Sequence, residues 1–506
     1  MLFKIFSAAL CGLDAYLVEV EIDFSLGIPD FTIVGLPDAA VRESKERVKA
    51  ALKNCGYVFP SRKLIINLAP ADRRKEGSMY DLPIALGMLA YLDLFPAEKL
   101  RDYLFLGELA LDGRIKRGRG ILSSTVLAKS LGFRGIVVPK GNEREAALVA
   151  DIDIYGLGNL VEVVRFLSEP GTISPVRYTL HELLPPVNYE VDFHEIRGQQ
   201  HVKRALEVAS AGAHNVLLIG PPGAGKTMMA RRMPTILPPM SFDEIIDVTR
   251  VYSASGLLPP ESVMGERPFR APHHTTTVAG LIGGGVVPKP GEVSLAHHGV
   301  LFLDELPEFR KSALDGLRQP LEDGVVTVSR ASMTVTYPSN FMLIAAMNPC
   351  EDASASHSTA GMDCSDFQKY RYYSKISRPL LDRIDIQIEV PKVEFKDIIA
   401  KEEGEKSADI RKRIVNARKN QLKRFRGRKI YCNSQMGTKD VKRHCSVDEE
   451  GQMLLEMSVT KLGFSARAYT RVLKVARTIA DLCGEKDILP SHISEAIQYR
   501  MMDKYF

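Results

Sequence analysis

The chain has 506 residues, of which 45% are hydrophobic and 25% charged, with a formal net charge of +5. That balance is an ordinary globular one, enough for about three domains of roughly 150 residues, each able to bury a core without disulfide or metal support. Seven scattered cysteines make no disulfide framework and point to a reducing compartment. No apolar run approaches the ~18–20 residues of a membrane span, and so mild a charge does not by itself imply nucleic acid.

The apolar start MLFKIFSAALCGLDAYLVEVEIDF lacks a basic stretch before the run and a small-x-small cleavage site, and Cys11 follows Leu10. Neither a secretory nor a lipoprotein signal is expected, and a cytoplasmic protein without a membrane partner is. The run passes into LVEVEIDF, whose alternation predicts a half-buried strand. FTIVGL, KLIINLAP and GIVVP predict further strands, DAAVRESKERVKAALKNCG an amphipathic helix closed by Gly56, and DLPIALGMLAYL a buried helix. Residues 1–167 are therefore expected to form an α/β domain of mixed order. SEPGTISPVRYTLHELLPPVNYE is proline-rich and without period, and predicts a linker over 168–190. A second α/β domain is expected over 191–392 and a helical one over 393–506.

The second α/β stretch carries the chemistry. GPPGAGKT, comprising Gly220, Pro221, Pro222, Gly223, Ala224, Gly225, Lys226 and Thr227, follows the apolar strand NVLLIG and opens the helix KTMMARRM. In that context it predicts a P-loop: backbone N–H groups and a helix N-terminus wrap the phosphates of ATP, Lys226 reaches the β and γ phosphates, and Thr227 offers a hydroxyl to Mg²⁺. GVLFLDEL is a buried strand with Asp304 and Glu305 at its C-terminal end, the ligand edge of a parallel sheet. Asp304 suits Mg²⁺, and Glu305 suits a general base on the attacking water. FMLIAAMNP is a third apolar strand ending in Asn348, whose amide suits that water or the γ-phosphate. Arg383 lies in the turn SRPLLDRIDIQIEV, and Arg467 and Arg471 are four apart on the helix SARAYTRVLKVARTIADL.

That order of motifs resembles the AAA+ ATPases, rings in which one subunit's arginine meets its neighbour's γ-phosphate. The resemblance implies Arg383 as the arginine acting in trans, Arg467 as the sensor arginine of a helical lid, and EIRGQQHVKRALEVA, with Arg197 to Gln199 at its turn, as the segment cupping the adenine. RPFRAPHHTTTVAGLIGGG, MNPC and SARAYTRVLKVARTIADL are together similar to the magnesium-chelatase-like ATPases, and within them to the ComM/YifB group, across essentially the whole chain. That resemblance implies a homo-hexameric, ATP-driven motor on DNA that promotes branch migration during integration of transforming DNA.

KEGSMYDLPIALG and GRIKRGRGILSSTVLAKSLGFRGIVVPKGNE resemble the Lon protease domain, an S5-like α/β fold. Lon needs a serine and a lysine; the corresponding positions hold Met79 and Ser124, so no peptidase is expected unless Ser78 and Lys129 form a shifted dyad. A docking or DNA-binding platform is expected instead. The fold class is thus an N-terminal Lon/S5-like domain, an AAA+ P-loop core with a parallel sheet and helices on both faces, and a C-terminal helical lid.

VVTVSRASMTVTY predicts a β-hairpin with its tip near Ser329 to Ala331. Arg330 there, and Lys289 in GGGVVPKPGE, are either contacts to a DNA backbone in the ring pore or ordinary solvated cations. Ten basic and no acidic residues between Arg411 and Lys429 are either a phosphate-binding face or a solvated helix. Cys350 and Cys364 with His357 between them offer fewer than the four ligands of a structural zinc, and none is expected. The pairs His273–His274 and His297–His298 point to opposite faces if extended, so neither is a natural chelate. His273, His274 and Thr275 are expected to line the nucleotide or a subunit interface, and Gly283 to Gly285 to let the stretch bend. Two other readings share these motifs: the motor subunit of a magnesium chelatase and a Lon-like ATP-dependent protease.

Overall fold

The computed structural model describes residues 2–169, 171–184, 189–330, 333–350, 372–393, 404–428, 430–462 and 464–501. The chain forms two compact units, the first made of Met1–Pro186 and Phe242–Gly265, the second of Val187–Ser241 and Glu266–Phe506.

The first unit is built on a seven-stranded sheet of β1 (Leu2–Cys11), β2 (Asp14–Ser25), β3 (Asp30–Val34), β4 (Lys63–Ala69), β5 (Tyr103–Phe105), β6 (Gly135–Pro139) and β7 (Asp153–Leu157), in the order β3-β4-β2-β1-β5-β6-β7. β1 and β2 form an antiparallel hairpin, and the strands beyond β1 are parallel. Alternation along β2 sends Val18, Val20, Ile22 and Phe24 into the core and leaves Glu19, Glu21 and Asp23 on the other face. The helix Ala39–Asn54 starts where Asp38 accepts a bond from the Val41 N–H (2.8 Å) and ends at Gly56, whose φ of +82° suits a residue without Cβ.

The proline-rich stretch after residue 168 is not bare chain. The Val176 N–H donates to the Ile154 carbonyl on the edge strand β7 (2.8 Å), Arg177 pairs with Asp153 (2.7 Å), and Thr179 caps a helical turn at Leu180–Leu183. The helix Phe242–Ser255, which the chain supplies from well beyond this stretch, also belongs to this unit. Arg250 pairs with Asp14 (2.7 Å), and the Gly120 N–H donates to the Ser253 carbonyl (3.2 Å).

The second unit holds a five-stranded sheet of β8 (Val216–Ile219), β9 (Phe269–Arg270), β10 (Val300–Leu303), β11 (Met342–Met347) and β12 (Ile386–Glu389), all parallel, in the order β9-β10-β11-β8-β12. Helices cover both faces, so β8, β10 and β11 read as unbroken apolar runs and are buried throughout. Five helices follow among the described residues: Ser407–Arg424, Thr438–His444, Glu449–Leu462, Ala466–Cys483 and Pro490–Gln498. Val472, Val475, Ala476 and Ile479 of the fourth share one core with Val216 and Leu218 of β8, so lid and sheet fold as one body.

One buried charge network ties that helix to the sheet. Asp385, at the entry to β12, accepts from the Asn215 N–H (2.9 Å), meets Arg471 of Ala466–Cys483, and lies 3.6 Å from the buried His214, whose other ring nitrogen is 2.8 Å from Thr478 Oγ1. Burial alone would raise the Asp385 carboxyl, but the Arg471 guanidinium, His214 and the Asn215 N–H outweigh it and hold the group far below the usual carboxylate range. Asp385→Asn, which leaves Arg471 facing a neutral group, is expected to cost about 3 kcal/mol, read from the urea unfolding midpoint. Because the folded carboxyl titrates low, this advantage of the native chain is full above the ordinary carboxylate pKa of about 4 and shrinks as pH falls below it.

Candidate active site

The five parallel strands give the second unit two chemically distinct ends. At the C-terminal end, β8 runs into Gly220, β10 into Asp304 and β11 into Asn348. β8 sits between β11 and β12, where the strand order reverses, and such a point opens a crevice for a ligand. Gly220 lies so close to the Val390 carbonyl that a Cβ would collide with it. Gly223 (φ +79°) and Gly225 (φ +89°) take left-handed conformations that turn the loop into the helix Lys226–Ile236.

Lys226 meets Asn348, and Thr227 meets Asp304. Lys226 is buried and its Nζ donates to the carbonyls of Gly220 (2.5 Å) and Pro221 (2.9 Å) and to Asn348 Oδ1 (2.9 Å). Thr227 Oγ1 donates to Asp304 Oδ2 (2.6 Å). An ammonium inside a loop of backbone amides fits a phosphate chain, and a hydroxyl beside a carboxylate is an all-oxygen donor set of the kind Mg²⁺ prefers. Glu305 is exposed and sits at φ +52°, a left-handed conformation rare for a residue with a Cβ. The turn at Arg197 to Gln199 reaches the loop directly: Gln199 Nε2 donates to the Ala224 carbonyl (3.1 Å) and to the Pro391 carbonyl (2.6 Å). Just upstream, Asp192 is partly buried, which opposes its ionisation. The N–H groups of His194 (2.9 Å) and Ser407 (3.0 Å) nevertheless hold its carboxyl down at about 2.

Arg383 and Arg467 are not part of this cluster. Arg383 precedes β12, whose first residue pairs with Val216 at the start of β8, so it lies at the opposite end of the sheet from Gly220. Four strand residues at about 3.3 Å each separate the two ends. Its side chain is nearly buried, donates to the Pro379 carbonyl (2.6 Å) and pairs with Glu322. The exposed Arg467 lies 3.5 Å from the other oxygen of the same carboxylate. That the two arginines share Glu322 is not readable from any single stretch, because three distant segments meet there.

The sequence also missed two contacts with the site. His274 Nδ1 lies 3.2 Å from Glu305 Oε2, and the Tyr372 hydroxyl donates to the Asn348 carbonyl (3.0 Å). The first is a matter of register: Arg270 pairs with Leu301, and His274 and Glu305 each follow four residues later. His297 is buried, and its Nδ1 accepts from the Asn340 N–H (3.1 Å). Arg330 donates to the Gly285 carbonyl (3.2 Å), which brings its hairpin, Val325–Arg330 with Met333–Pro338, onto the small glycine hairpin bearing the exposed Lys289. Ala331, Cys364 and His357 lie outside the described residues.

Much of the basic block is engaged within the fold. Arg411 donates to the Thr235 carbonyl (2.8 Å), Arg413 binds Glu207 and Glu405, Arg418 the carbonyls of Ser210 and Ala211, Arg424 binds Asp481, and Arg428 binds Asp440. In the first unit, Ser78 bonds Glu108, Ser124 Oγ donates to the Gly120 carbonyl (3.0 Å) of its own helix, and Lys129 pairs with Asp151 (3.1 Å). Neither serine meets Lys129.

A P-loop at a reversal of strand order, an acidic pair and an asparagine on the neighbouring strand ends, and a helical lid together define a AAA+ nucleotide-binding core. The chain matches the families described as magnesium chelatase, subunit ChlI, over residues 192–398, subunit ChlI of Mg-chelatase over 20–142, and the ChlI C-terminal region over 404–500. It is 42% identical to the competence protein ComM of Haemophilus influenzae, over 98% of this chain and 97% of that protein. It is 40% identical to an uncharacterised protein, YifB, of Escherichia coli over 98% and 96%. A shorter match, 30% identical over 28% of this chain and 26% of that protein, is to Lon protease 2 of Bacillus subtilis. The chain belongs to the magnesium-chelatase-like AAA+ ATPases of the ComM/YifB group.

Lys226→Ala should abolish binding of a fluorescent ATP analogue, while Asn348→Ala should leave binding within a few-fold and lower turnover by about 10²-fold, as loss of one aligned polar contact does. Equilibrium titration and steady-state phosphate release separate the two.

Proposed function

We propose that this protein is a ring-forming ATPase that works as a motor on DNA, driving branch migration during recombination, including the integration of DNA taken up from outside the cell. The observation that carries the reading is the separation of the candidate groups. Lys226, Thr227, Asp304, Glu305 and Asn348 gather at one end of the sheet, and Arg383 and Arg467 lie at the other. Arg383 so placed lies away from its own phosphate loop, which supports its action on a neighbour's phosphate in a closed ring, read here as a homo-hexamer, with Arg467 as the sensor arginine of the lid.

In this reading the P-loop amides and Lys226 bind the phosphates of ATP. Thr227 and Asp304 hold Mg²⁺, which supplies charge neutralisation on the phosphates. Glu305 takes the proton of the attacking water, and Asn348 aligns that water or the γ-phosphate. Arg330 and Lys289, on two hairpins in mutual contact, face the DNA backbone in the pore. The name of the Haemophilus influenzae relative, a competence protein, supports the role in DNA uptake.

The family description favours a second reading, a chelatase motor that helps insert Mg²⁺ into a porphyrin. A Lon-like protease is disfavoured by the engagement of Ser78 with Glu108 and of Lys129 with Asp151.

Forked and four-way DNA should stimulate the ATPase and be unwound or migrated by it; absence of DNA binding at low salt sinks the motor reading. Lys226→Ala and Glu305→Gln should abolish turnover. Mixing Arg383→Ala with Lys226→Ala subunits should restore part of the activity, since mixed interfaces pair an intact loop with an intact arginine; no recovery at any ratio argues against action in trans.

A further inference from the structure

Glu322 holds two of the candidate arginines at once and has no part in the reading above. We propose that Glu322 is a positioning residue that stands in for a phosphate: its carboxylate occupies Arg383 and Arg467 until the neighbour's ATP displaces it, so that ring closure waits for nucleotide. The inference rests on the reading of Arg383 as an arginine acting on a neighbour's phosphate, and adds what holds that arginine beforehand.

The geometry is that of an anion already bound. Arg383 Nη2 meets one oxygen of the Glu322 carboxylate, and Arg467 Nη2 lies 3.5 Å from the other. Guanidiniums arranged on the oxygens of one anion are also how arginines take a phosphoryl group. The neighbouring cations are committed elsewhere: Arg471 pairs with Asp385, and Arg318 with Asp315 (2.6 Å). Arg383 is nearly buried, and its Nε is buried without a hydrogen-bond partner among the described residues. Burial, and then the like charges of Arg467, Arg471 and Arg318, push its pKa below the usual arginine range. A guanidinium so crowded gains from an anion within reach, and Glu322 is the anion that the fold supplies.

The two halves of the pair differ in a way that lets it open. The Glu322 side chain is 52% exposed and that of Arg383 only 9%. The carboxylate can turn into water at little cost, whereas the guanidinium stays where the Pro379 carbonyl holds it (2.6 Å). The backbone under Glu322 is fixed. It belongs to the helical turn Arg318–Asp323, which is seated on the buried Leu317 and Pro320 and stops at Gly324 (φ +67°), where a Cβ would strike Asn340. Displacement therefore needs a rotation of one side chain and nothing more. An ion pair with one half in water is weak, and a terminal phosphate brings more charge and a third oxygen to the same arginines, so it wins when a neighbour presents it. The exchange also reaches the lid, because Arg467 lies on the helix Ala466–Cys483.

The test follows ring assembly of the full chain by analytical ultracentrifugation against the concentration of a non-hydrolysable ATP analogue with Mg²⁺, together with KM and kcat for ATP, all without DNA. Glu322→Gln keeps the size of the side chain and removes its charge. It should lower the analogue concentration for half-maximal assembly, and KM with it, about fivefold and without a fall in kcat, the scale of one half-exposed ion pair. Glu322→Ala should shift assembly the same way, and the shift should vanish when Arg383→Ala is added. A carboxylate that braces the fold or aims the arginines for catalysis would instead raise the midpoint or lower kcat on its removal. Either result overturns the proposal, as does a shift that persists without Arg383. If Arg383→Ala leaves assembly and turnover of the native chain unchanged, the reading of Arg383 in trans fails and this inference with it. If Arg383→Ala is damaging while Glu322→Gln moves nothing, this inference alone fails.

Discussion

Every strand of the central sheet in the second unit points the same way, and that polarity governs where chemistry can occur. A parallel sheet collects all its strand exits at one end, where the backbone is free of pairing and can turn to meet a ligand. The phosphate loop, the acidic pair and Asn348 are three such exits, and Lys226 Nζ on Asn348 Oδ1 with Thr227 on Asp304 stitches them together. The strand entries collect the opposite inventory. Asn215, Asp385 and the arginines there make a second polar layer that fastens lid to sheet. Neither end could be built without the other, because one β-strand contributes to both.

The strong elements were legible because local pattern and global fold agree. Unbroken apolar runs became buried parallel strands, and Asp38 and Gly56 closed the helix that they flank. The phosphate loop was legible for the same reason, since strand, glycine turn and helix follow one another in the chain. What the sequence hid depends on which strands are neighbours. His274 against Glu305 follows from the register of β9 on β10, which no single stretch encodes. Glu322 between Arg383 and Arg467 joins three distant segments.

Charge counting was the weakest guide. A run of ten basic residues without an acidic one suggests a polyanion. Guanidiniums are, however, the usual bidentate partners of buried carboxylates and of carbonyls at helix ends. Arg418 and Arg424 sit where helix Ser407–Arg424 meets its neighbours and close such groups there. Lys412, Lys419, Lys423 and Arg426 do remain on the surface, a much thinner stripe than the sequence suggests. On β2 in the first unit, Glu19, Glu21 and Asp23 are half-buried on the face away from the core; Lys4 pairs with Glu19, and Asn67 donates to Glu21.

The first unit is not a contiguous piece of chain. The helix Phe242–Ser255, with Ile245, Val248, Val251 and Tyr252 buried, lies between the phosphate-loop helix and β9 in sequence yet folds with residues from the amino-terminal third. The polypeptide therefore passes between the units three times, near residues 186, 241 and 265. A single proteolytic cut near residue 186 cannot release the first unit, and truncation there would strand an apolar helix in water inside the ATPase. Because it is built from two separate stretches of chain, gain or loss of this unit takes two coordinated changes in the gene, which ties its history to that of the nucleotide-binding core.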